Sequence, residues 1–177
     1  MYWKRKRKSS SWGGGLALCV AVGLALFAGA ANGFDKVSDL QEHFDKETHS
    51  GGKIRALDKL TDAQFEASRK ASAEGNFVSV GFIFEKYRDN LRACFDLLRK
   101  QEPDAERHSG SYRQLELQTR RGLREVEDAL VTAPPDMRPP LEIVRTDILD
   151  MDNELIRLLF PSRSQEPKKP DLPKEQP

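Results

Sequence analysis

At 177 residues and 38% hydrophobic, the chain has room for one modest domain plus tails, not for two full cores. Five of its 29 Lys and Arg fall within residues 1–33, which hold no Asp or Glu, so the remainder carries 24 basic against 28 acidic side chains, a net charge of −4. A negative body argues against general nucleic-acid binding, which depends on neutralising phosphates.

The basic stretch Lys4, Arg5, Lys6, Arg7 and Lys8 precedes a polar, Gly-rich spacer and an apolar run from Leu16 to Phe27. Small residues follow, Ala28-Gly29-Ala30-Ala31-Asn32-Gly33. That order is the order of a secretory signal peptide: charge on the cytoplasmic side, a short apolar helix, then small side chains that fit a peptidase. Residues 1–33 are therefore expected to direct export to the periplasm or beyond, with cleavage after Ala30 or Gly33. The alternative is an N-terminal inner-membrane anchor over residues 16–34, which are just long enough to span. Cys19 would leave with the leader. Cys94 would then stand alone, without an intrachain disulfide, as a small buried hydrophobe.

Residues 34–52 read as a polar, flexible segment ending in the breaker Ser50-Gly51-Gly52, within which Ser38 and Gln41 could cap a short helix. A short helix is expected over Lys53–Leu60. A better one starts at Thr61, whose side chain can cap the first turn while Gln64 returns the bond, with Leu60 and Phe65 as a flanking staple. It should stop at Gly75-Asn76, where left-handed backbone is cheap. The next helix, about Phe77 to Gln101, carries Val80, Phe84, Tyr87, Leu91, Cys94 and Leu98 at alternating spacings of four and three, with Ile83, Phe95 and Leu97 widening the stripe.

A third helix runs from near Ser111 to about Thr132 with the stripe Tyr112, Leu115, Thr119, Leu123, Val126 and Leu130. Gly122 lies inside it, and close approach of another helix would account for that glycine. Four prolines, Pro134, Pro135, Pro139 and Pro140, frame a rigid connection, and the last helix begins near Pro140. Its heptad positions are Leu141, Val144, Ile148, Met151, Leu155 and Leu158. Residues 161–177 hold five prolines and almost nothing apolar, so they read as a disordered tail. The expected fold is all-α: a small antiparallel helical bundle over residues 53–160, of three long helices plus one shorter helix. The heptads would also permit a coiled-coil dimer.

Chemistry-bearing patterns are sparse. His43, His49 and His108 are the histidines, and none has a Glu three residues before it as in di-iron bundles. Haem and zinc motifs are missing, and Gly51-Gly52-Lys53 lacks the leading glycine and following Ser or Thr of a phosphate loop. The expectation is a protein that is not an enzyme and takes no cofactor. Asp147, Asp150 and Glu154 share a helix face, where three carboxylates suit a hard cation. Arg145 and Arg157 lie close by, and a Glu154–Arg157 surface pair is the plainer reading. Arg113, Arg120 and Arg124 share a face of the third helix and are the candidate interaction surface, an anionic docking patch. Glu116, Glu125 and Asp128 interleave with them and can pair along the helix.

The string Leu60-Thr61-Asp62-Ala63-Gln64 resembles the Leu-Thr-x-x-Gln motif of exported helical chaperones and envelope-stress proteins of the bacterial periplasm. The likeness covers five residues and one copy of a motif that typically occurs twice. It implies a cradle-like helical protein that holds unfolded clients, although that cradle is basic and this body is negative. Together these features point to an exported helical protein acting through contacts with an unidentified protein partner. A chaperone of that type and a ligand- or metal-binding bundle are the alternatives.

Overall fold

A computed structural model describes residues 36–161. The expected leader, and the expected tail beyond Pro161, lie outside them. The described chain is all-helical: α1 covers residues 36–46, α2 Ser50–Ala73, α3 Phe77–Gln101, α4 Ser109–Thr132 and α5 Arg138–Leu159, with a short 3₁₀ turn Pro135–Met137 before α5. Among the described residues, no helix is long and apolar enough to cross a membrane.

The stripes read from the sequence form the core. Val80, Phe84, Tyr87, Leu91, Cys94 and Leu98 of α3 are all buried, as are Leu141, Val144, Ile148, Met151 and Leu155 of α5. Leu123 and Leu130 of α4 are half-buried against the same cluster. Helix α2 packs chiefly on α3 and α4 on α5, with further contacts of α2 on α4 and of α3 on both α4 and α5. Polar links between α2 and α4 rise together along the two helices: Asp58 with Gln118, Asp62 with Arg121, Arg69 with Glu125 and Ser72 with Thr132. Between α4 and α5 they run oppositely, from Arg120–Asp152 to Glu127–Arg145.

Two local predictions hold. Helix α2 ends at Gly75, with φ +72°, where the amide of Asn76 bonds the Ala71 carbonyl and that of Gly75 the Ser72 carbonyl. Such a left-handed closure satisfies the last carbonyls, and glycine adopts it without strain. Asn76 then caps α3, its Oδ1 accepting from the Ser79 amide at 3.2 Å. At Gly122 the close approach is that of Tyr87, whose ring occupies the space a Cβ would need.

The N-terminal half differs from expectation. Residues 36–46, within the polar segment where Ser38 and Gln41 offered a short helix, form a helix that already includes residue 36, so Ser38 lies inside it, and that buries Phe44. Ser50-Gly51-Gly52 is not a breaker but the first turn of α2, and Thr61 is not a helix start but lies midway along it. The short helix and its successor are therefore one helix of 24 residues, and α2 to α5 are all long. The cause is tertiary. The Ser50 amide donates to Gln101 Oε1 at 2.8 Å, and the Ser50 hydroxyl donates to Glu102, so the end of α3 supplies the cap that α2 lacks locally. Lys53 closes α1 in the same way. Its ammonium donates to the Phe44 and Glu47 carbonyls at 2.9 and 3.1 Å and lies 4.3 Å from the centre of the Phe44 ring.

Candidate functional site

The α4 arginines do not stand alike. Arg113 and Arg124 are exposed and pair with no described residue. Arg120 is engaged: its Nε lies 2.5 Å from Glu116 Oε1 and 3.7 Å from Asp152 Oδ1. The interleaved carboxylates divide between local and distant partners, since Glu116 pairs one turn away along α4 whereas Glu125 reaches Arg69 of α2.

The α5 carboxylates turn toward α3. Asp147 lies 3.2 Å from Arg88 and 3.9 Å from Arg92, and Glu154 lies 2.7 Å from Arg99. Glu154 thus pairs with Arg99 of α3, not with Arg157 of its own helix. Periodicity along one helix cannot show this, because a facing helix offers better geometry than a neighbour one turn away. Among the described residues, no three His, Cys, Asp or Glu side chains gather into a metal-ligating group. Cys94 is buried, and burial pushes its thiol up to about 12, far from the reactive thiolate range.

The contact of Arg120 with Asp152 yields a measurable consequence. Burial, with a smaller push from Glu116 and an opposing pull from Arg120, raises the Asp152 carboxyl above its ordinary value of 3.8. The folded chain then holds that proton more tightly than the unfolded chain does. Charging Asp152 costs stability at neutral pH, and the cost disappears as the pH falls below about 3.8. Asp152→Asn is therefore expected to be more stable than the parent in urea at pH 7, and equally stable at pH 3. Loss of stability at pH 7 would show that the Arg120 attraction outweighs burial.

One concave feature is not flagged by the sequence. Helix α1 is fixed to α3 by a reciprocal amide pair: Gln41 Nε2 donates to Asn90 Oδ1 at 3.1 Å, and Asn90 Nδ2 donates to Gln41 Oε1 at 2.9 Å. Asn90 is buried, so both halves of the pair are needed to satisfy it. This docking leaves a cleft of about 680 Å³ among α1, α2 and α3. Val37, Ala67, Phe82 and Ile83 give it an apolar lining, and Gln64 also lines it. Charged groups stand around it. Lys46 bonds Glu42 at 2.6 Å and holds that carboxyl below the usual range, Asp45 accepts from Gln41, and Lys86 has no described partner.

Sequence reasoning assigned Gln64 to a helix cap and left out Phe82 and Lys86. One signal was available: Phe82 lies off the stripe defined by Val80, Phe84 and Tyr87, and it is 69% exposed. Val78, one turn earlier, is 70% exposed, so two large apolar side chains face solvent on adjacent turns of α3. No protein-family model matches the chain, and no significant match was found among curated proteins or solved structures.

Proposed function

We propose that this chain is an exported, non-catalytic protein whose helices close as a small antiparallel bundle and which works by docking another protein. The order of charge, apolar run and small residues before residue 34 supports export. The observation that carries the docking is the pair Val78 and Phe82. A soluble surface seldom leaves two such side chains adjacent and uncovered unless something else covers them. The opposed links between α4 and α5 support antiparallel neighbours in a bundle.

Changing both side chains, Val78→Ser with Phe82→Ser, tests this reading. Both are exposed, so stability should move by no more than about 0.5 kcal/mol for each. Affinity capture from the envelope fraction with the full-length protein should retain a partner that the double variant loses, and the recovered chain should begin near Phe34. Identical protein sets captured by both forms would defeat the docking surface. Recovery of intact chain from the cytosol alone would defeat export. A second reading, a holding chaperone of the Leu-Thr-x-x-Gln type, is favoured by the apolar cleft that Gln64 lines. It calls for suppression of aggregation of an unfolded client, which docking to one folded partner does not.

A further inference from the structure

The shape and the charge of the surface around Val78 and Phe82 both bear on what covers it. Phe82 projects into solvent, 69% exposed, and also lines the cleft of about 680 Å³ among α1, α2 and α3. An apolar knob and an apolar hole therefore lie side by side. A partner that matches such a surface needs a hole for the knob and a knob for the hole. A copy of the same surface, turned through half a rotation, offers both.

The wall of the cleft carries two carboxylates, Glu42 and Asp45, and two ammoniums, Lys46 and Lys86, so its charges cancel. Glu42 and Lys46 pair with each other at 2.6 Å. Asp45 accepts a bond from the uncharged amide of Gln41, and Lys86 forms no ion pair among the described residues. One unpaired charge of each sign thus remains on the same wall, and the two do not meet within the chain. A strongly acidic or strongly basic partner would attract one of them and repel the other. A two-fold contact satisfies both: where Lys86 of one copy meets Asp45 of the second, symmetry brings Asp45 of the first to Lys86 of the second.

We propose that a second copy of this chain covers this face, in a two-fold dimer that sets Phe82 of each copy over the cleft of the other and pairs Lys86 with Asp45 twice across the interface. The inference rests on the docking reading above and names its partner.

Sedimentation equilibrium of the protein purified from the envelope fraction should show a monomer–dimer equilibrium, which Val78→Ser with Phe82→Ser abolishes. Lys86→Glu and Asp45→Lys should each weaken self-association by about tenfold or more, because each turns both opposite-charge contacts into like-charge ones. Mixing the two single variants should restore the dimer, since the mixed pair again sets opposite charges face to face at both contacts. Circular dichroism should stay helical throughout. A parent that is monomeric at every concentration, equal association of the Val78→Ser, Phe82→Ser variant, or a mixture no tighter than either single variant would each overturn the dimer. Should the parent be monomeric while that variant still loses a protein captured from the envelope, the second copy falls and docking to a different protein stands.

Discussion

Asp62→Pro is expected to destabilise the protein by about 3 kcal/mol or more, even though Asp62 is a surface residue with a side chain 66% exposed. Were Thr61 the cap of a new helix, residue 62 would be its first position, where proline is welcome because its missing N–H has no intrahelical partner anyway. In the structure residue 62 lies in the interior of Ser50–Ala73. Proline there removes a rung of the ladder, and its ring meets the carbonyl four residues back. The lost Asp62–Arg121 ion pair, 2.7 Å long and at the surface, adds at most about 1 kcal/mol. Asp62→Ala should accordingly cost little. For a domain of this size the proline variant should lower the melting midpoint by about 10 °C. A midpoint unchanged by proline would show that α2 is broken at Thr61 after all.

Gly122→Ala is the second large effect, and its sign runs against helix propensity. Alanine in a helix interior is favoured over glycine by about 1 kcal/mol. Here the added Cβ would lie 2.8 Å from both Cζ and Oη of Tyr87 and closer still to Cε1. The ring has nowhere to go. Tyr87 is fully buried, its hydroxyl donates to the Gln118 carbonyl at 2.6 Å, and Phe65 is 4.9 Å away between ring centres. Burial also raises the Tyr87 phenol far above its ordinary value, so the hydroxyl stays a donor. Overpacking of this kind costs about 1–3 kcal/mol, enough to reverse the propensity gain. A double-mutant cycle in urea isolates the cause. In a Tyr87→Leu background, which removes the obstructing ring, Gly122→Ala should become neutral or stabilising by up to about 1 kcal/mol. Equal losses in both backgrounds would place the clash elsewhere.

These two positions show how far the sequence carries. The stripes of α3, α4 and α5 were legible because an apolar period of three and four needs only the residues of one helix. The end of α2 was legible as well, since Gly75 and Asn76 close it through bonds spanning five residues. The glycine at 122 was marked as a close approach, but not that Tyr87 makes it.

What the sequence determined by itself, then, is an all-helical chain, the side chains that face inward and the turns that punctuate α2 to α5, all consequences of interactions within a turn or two. The tertiary structure decided the rest. It made Ser50-Gly51-Gly52 helical by bringing Gln101 to the Ser50 amide, paired Arg120 with Asp152 and Glu154 with Arg99, and set Gln64, Phe82 and Lys86 around one cleft. Each of these brings together residues from different parts of the fold, so no single helix contains the whole contact. Local chemistry assigned Thr61 and Gln64 to a cap because a capping box satisfies a free helix end, and it lost to a continuous helix once a distant side chain satisfied the true end.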